Sequence, residues 1–121
     1  MTEDRIAFDE VIECMYSTFP DVLRRAEEAC SVGLSAGLPH AALGSEFCPW
    51  LLAVIESDPA GQREETAKGF GFIEELLRRG DARVQELVHV TILEFLLASA
   101  GRDVAERLSG PLANAELATM T

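Results

Sequence analysis

Residues 66–98 read TAKGFGFIEELLRRGDARVQELVHVTILEFLLA and carry the longest apolar periodicity in the chain. Phe70, Ile73 and Leu77 recur at helical spacing before Arg79-Gly80-Asp81, and Val84, Leu87, Val88, Thr91, Phe95 and Leu96 do so after it. Gly80 can end a helix in a left-handed backbone, and Asp81 can cap the next one through its carboxylate. The stretch therefore predicts two antiparallel helices joined by a tight turn. Val90, Leu93 and Leu97 add apolar character to the other side of the second helix. A helix apolar nearly all round is buried on several sides, so residues 81–100 are expected to form the central helix of the fold.

The same signals run outward from this hairpin. Phe8, Val11, Ile12, Met15 and Phe19 form one face of a first helix over about residues 3–17, which also carries Asp4, Asp9, Glu10 and Glu13. Thr18-Phe-Pro-Asp opens a second helix, about 19–32, with Val22, Leu23, Ala26 and Cys30 inward and Glu27 and Glu28 outward. Gly33 to Glu46 holds three glycines and a proline and reads as an irregular loop, the one segment long enough to serve as a binding loop. Cys48-Pro49-Trp50 starts a third helix with Trp50, Leu51, Val54 and Ile55 inward; Trp50 is read as a core residue, with an interface anchor as the alternative. Asp58-Pro59 opens a fourth helix reaching Arg79, in which Gly69 and Gly71 suit close helix packing. A sixth helix holds Val104, Ala105 and Leu108, and Pro111 to Leu117 forms a last short one. No stretch alternates like a strand. The expectation is a single all-α domain, 1–121, of six or seven antiparallel helices, either a compact bundle or a short solenoid.

Composition narrows the function. The formal charge is −11, from 21 acidic and 10 basic side chains, and residues 1–60 hold 11 acids against 3 bases. Such a surface repels nucleic acid, whose binding needs Lys and Arg. It suits either solubility alone or a basic protein partner. The acidic start lacks a signal-peptide pattern and no apolar run is long enough for a bilayer, so a cytoplasmic protein without membrane contact is expected.

Chemistry is sparse. Two histidines and three dispersed cysteines lack any metal-ligand spacing, so neither metal nor cofactor is expected. Glu86 and His89, three residues apart, read as a hydrogen-bonded pair on one helix face. His40 and Cys48 could form a thiol–imidazole pair beside the 33–46 loop, the basis of a less favoured reading as a small enzyme or ligand binder. Glu94, inside TILEFLL, is the odd charge of the central helix, and pairing with Arg78, Arg79, Arg83 or Arg102 is expected.

The order Phe-Gly-Phe-Ile-Glu-Glu-Leu-Leu (70–77), Gly-Asp-Ala-Arg-Val-Gln-Glu-Leu (80–87) and Leu-Glu-Phe-Leu (93–96), followed by Leu-Ser-Gly-Pro (108–111), resembles small all-α bacterial proteins, some similar to immunity proteins of polymorphic or contact-dependent toxin systems. That resemblance implies a non-enzymatic, cytoplasmic binding protein, monomeric or homodimeric. It would neutralise a basic toxin domain, such as a nuclease, by stoichiometric occlusion. Glu10, Glu13, Glu27, Glu28, Glu74 and Glu75 are the candidate contacts on its acidic surface. The alternative is a helical-repeat adaptor or regulator with a different partner.

Overall fold

The structure, a computed structural model, describes residues 5–28, 39–58 and 60–120. Seven helices make up the described chain. They are α1 (Val11–Thr18), α2 (Pro20–Glu28), α3 (39–57), α4 (Glu64–Arg79), α5 (82–99), α6 (Arg102–Leu108) and α7 (Pro111–Leu117). A 3₁₀ turn, Phe8–Glu10, leads into α1. The fold is an all-α bundle, as the apolar periodicity requires. Residues 3–4 of the expected first helix, residues 29–32 of the second with Cys30, the 33–38 part of the expected loop, and Pro59 lie outside the described residues.

The α4–α5 hairpin closes where its turn signals lie. Asp81 accepts from the Val84 amide at 3.0 Å, capping α5. Gln85 Nε2 donates to the carbonyls of Leu77 and Gly80, two acceptors that the end of α4 leaves open. Gly80 is not left-handed: its φ is −75°. Glycine is needed there because a Cβ would lie 2.3 Å from the Leu76 carbonyl oxygen and 2.4 Å from Val84 Cγ1. Gly101 instead takes a positive φ, 91°, and ends α5 while its amide and that of Ala100 both reach the Leu96 carbonyl. The chain before α1 is pinned to this hairpin by the Ile6 amide, 3.0 Å from the Arg79 carbonyl.

Helices α3 and α5 share the centre. Helix α5 packs on α3, α4, α6 and α7, and α3 packs on α1, α2, α4 and α5. Each contains one wide π turn, Leu43–Phe47 in α3 and Val88–Leu93 in α5, and the two turns face each other. A π turn inserts one extra residue into a helix. This explains why the inward face of α5 departs from the regular spacing. Val84, Leu87 and Val88 are buried as expected, but the face then continues through Ile92, Leu93 and Leu96, with Thr91 and Phe95 only half buried. Val90 is exposed, so α5 is not apolar all round; Glu86, Val90, Glu94 and Ala98 form an exposed row at four-residue spacing.

Two further expectations are corrected. The 33–46 loop is helical from Pro39 onward, because Pro39 suits a helix start and Ala42, Leu43 and Phe47 have a buried face to fill. The fourth helix begins at Glu64, not Pro59. Gly61 takes φ 68°, and the buried Asp58 carboxylate accepts from the amides of Gln62 (3.2 Å) and Arg63 (2.8 Å) and from Thr66 Oγ1 (2.7 Å), organising a turn ahead of the helix.

One continuous core joins all seven helices. At its centre Phe19, Phe47, Trp50 and Phe72 meet edge-on or tilted with centroids 4.8–5.9 Å apart. Trp50 is 6% exposed and is a core residue rather than an interface anchor. Gly69 lets α4 approach α3 closely, since a Cβ there would fall 2.8 Å from Leu51 Cδ1; Gly71 faces open space and has no such role.

Candidate protein-binding surface

The six glutamates expected to face a partner sit in different circumstances. Glu10 and Glu13 are exposed on the first turns of the chain, and Glu10 Oε1 accepts from the Ala7 amide at 2.9 Å. Both line a groove of about 310 Å³ together with Arg5, Cys14 and Arg79, so two guanidinium groups share the groove with the two carboxylates. Glu27 and Glu28 are exposed at the end of α2. Glu75 pairs with Arg78 at 2.7 Å across one turn of α4.

Glu74 has a structural task. Its carboxylate accepts from the amides of Leu112 (3.0 Å) and Ala113 (2.7 Å), so it caps α7 from another helix. Gly110 leaves room for it, because a Cβ there would lie 2.5 Å from Glu74 Cδ. The sequence FIEELL is thus joined in space to the Gly-Pro turn that starts α7. Glu74 is not available to a partner while this cap is made.

The polar groups read as possible chemistry are turned to other uses. His40 Nδ1 lies 2.8 Å from Thr91 Oγ1, and the Cys48 thiol donates to the Thr91 carbonyl at 3.7 Å. The imidazole and the thiol therefore address two atoms of one residue, in the π turn of α5, and not each other. Burial pushes the Cys48 thiol up to about 12, which holds it in the unreactive protonated form. His89 faces Glu116 on α7, 3.5 Å away, and not Glu86. Glu94 forms no ion pair with the expected arginines. Arg102 instead donates to the Leu117 and Met120 carbonyls and to Glu106, and Arg83 lies over the Phe8 ring at 4.0 Å. Among the described residues no three His, Cys, Asp or Glu side chains are grouped to hold a metal ion, and no helix is long and apolar enough to cross a membrane.

Sequence reasoning missed two surface features. One is a groove of about 470 Å³ between α5 and the chain after α7, lined by His89, Glu94, Leu97, Ala98, Thr119 and Met120. The signal for it was Glu94 itself, a charge in an apolar run, which marks the outward row of α5. The other is a smaller pocket of about 190 Å³ between α2 and α3, where Glu46 lies beside Trp50 and Arg25. Glu46 Oε1 accepts from the Tyr16 hydroxyl at 2.5 Å, and burial together with this carboxylate pushes the Tyr16 phenol up to about 12. No sequence spacing links residues 16 and 46.

The fold and surface define a helical protein with a closed apolar core and an acidic exterior cut by shallow grooves. The chain belongs to the family described as "Domain of unknown function (DUF7674)", which matches residues 12–115. Neither the curated proteins nor the solved structures contain a match to it.

Proposed function

We propose that this protein is a stoichiometric binding protein that uses its acidic surface to cover a basic protein partner, acting as an immunity protein toward a toxin. The observation that carries the reading is the distribution of charge. The net charge is −11, and surface ion pairs such as Arg24–Asp21, Arg102–Glu106 and Arg78–Glu75 join residues close in the chain. Such pairs contribute little to stability. Exposed carboxylates at Glu13, Glu27, Glu28, Glu86 and Glu94 have no ion pair among the described residues. Their field would speed encounter with a cationic surface and fix its orientation. A nuclease toxin fits, because a protein that holds a phosphate backbone presents Lys and Arg around its site. The Cys48 thiol, protonated and bonded to Thr91, speaks against the enzyme alternative built on His40 and Cys48.

Co-expression with the product of the gene immediately upstream is the test. The reading expects that product to be toxic alone and harmless beside this protein, with the two recovered as a complex. A harmless upstream product, or toxicity that this protein leaves unchanged, refutes it.

A further inference from the structure

Glu94 directs attention to the groove of about 470 Å³ between α5 and the chain after α7, whose described lining carries acid without Lys or Arg. The groove at α1 sets Glu10 and Glu13 against Arg5 and Arg79. A third, of about 220 Å³ along α2 and α3, sets Asp21 and Glu65 against Arg24, Arg25 and Arg63. Among the described residues, no Lys or Arg lines the groove between α5 and the chain after α7. Its charged lining is Glu94 alone, His89 is turned toward Glu116, and its apolar floor is Leu97, Ala98 and Met120. The exposed row of α5 extends it, adding Glu86 and Val90. Val90 is 41% exposed, one of two large apolar side chains so exposed among the described residues. An apolar strip edged by unpaired carboxylates is what a segment with alternating aliphatic and basic side chains would complement: the aliphatic groups leave water on the strip, and the cations meet Glu86 and Glu94.

We infer that the α5 groove docks a segment of the protein partner that carries Lys or Arg beside aliphatic residues, with Glu94 as its central charge contact and Val90 and Leu97 as its apolar seat. This rests on the reading of the protein as a binder of a basic partner, and it moves the contact from the α1–α2 acids to α5. The Arg102 side chain has a part in it. By holding the Leu117 and Met120 carbonyls it fixes the chain that forms the far wall of the groove.

The test uses the full chain, labelled for amide NMR, and two short amphipathic peptides of one pattern, one of leucine and lysine and one of leucine and glutamate. The leucine–lysine peptide is expected to shift amides of residues 86–98 and 116–120 in a saturable way, and the leucine–glutamate peptide is not. Glu94→Lys should weaken the binding by about tenfold or more, while Glu56→Lys, at an exposed position of α3 outside the acidic surface described above, leaves it within about twofold. Glu94 is exposed, so the charge reversal is compatible with folding, and Glu94→Gln should give a smaller loss in the same direction. Shifts centred on α1 and α2 and sensitive to Glu13→Lys would overturn the groove but leave the basic-partner reading intact. Equal binding of both peptides, or binding of neither, also overturns it, and growth rescue by co-expression then judges the function independently.

Discussion

Tyr16 is the only tyrosine in the chain, and its hydroxyl donates to Glu46 at 2.5 Å, so its ionisation can be followed without ambiguity. Burial and the Glu46 carboxylate both disfavour the phenolate, raising its pKa from 10.0 to about 12. A raised folded pKa means that this pair stabilises the protein fully below pH ~10 and loses its effect as the pH climbs through the folded value. Near-ultraviolet titration of the native protein should therefore show phenolate forming around pH 12, and Glu46→Gln should move the midpoint down toward ~10. A wild-type midpoint at ~10 would show that neither burial nor the Glu46 hydrogen bond acts on the phenol. Asp58 works at the opposite end of the scale. The Thr66 hydroxyl, then the Arg63 amide, hold its carboxyl below the ordinary value. A lowered folded pKa gives stability that is present above pH ~4 and is lost as the pH falls through the folded value. Asp58→Asn should accordingly cost stability at neutral pH, and the gap to wild type should close in acid denaturation below pH ~4. A gap independent of pH would contradict the assignment. The Tyr16–Glu46 pair was not legible in the sequence, because the two meet only through packing of α1 on α3, whereas Asp58 was legible as a boundary residue though not as the partner of Thr66.

Among the elements, the hairpin of α4 and α5 was legible almost whole. The turn at Gly80-Asp81, the Asp81 cap and the inward Phe70, Ile73, Leu77, Val84, Leu87 and Val88 follow from spacing and cap chemistry, whereas the start of α4 at Glu64 does not. Legibility falters beyond Val88, where the π turn adds a residue and transfers burial from Thr91 and Phe95 to Ile92 and Leu93, while Leu96 stays inward as expected. The regular 3.6-residue period carries no mark of such an insertion; it depends on α3 presenting its own π turn opposite. Helix α7 shows a second kind of dependence. Its start is capped by Glu74, 38 residues before Leu112 in the chain. Glu74→Ala should cost about 1–2 kcal/mol in denaturant unfolding, by the loss of two amide acceptors and of a negative charge at a helix N-terminus. Glu75→Ala, which breaks only a pair with Arg78 whose side chains are 44% and 48% exposed, should cost no more than about 0.5 kcal/mol. Equal costs for the two would remove the cap from the account of α7.

At the scale of the whole molecule, fold class and charge were both readable, since each is a sum over many residues that no single error can reverse. The location of the functional surface was not. Carboxylates that look alike in the sequence divide into a helix cap (Glu74), a surface pair (Glu75), members of balanced grooves (Glu10, Glu13) and unpaired charges along α5 (Glu86, Glu94). Only their neighbours in space make that division. The central claim is that a surface of charge −11 serves to bind a basic protein. The most direct measurement is the dissociation constant for the purified product of the upstream gene at low and at high salt. The account predicts a one-to-one complex whose affinity falls steeply as salt rises, mostly through a slower association rate. A complex indifferent to salt, or no complex at low salt, would contradict it.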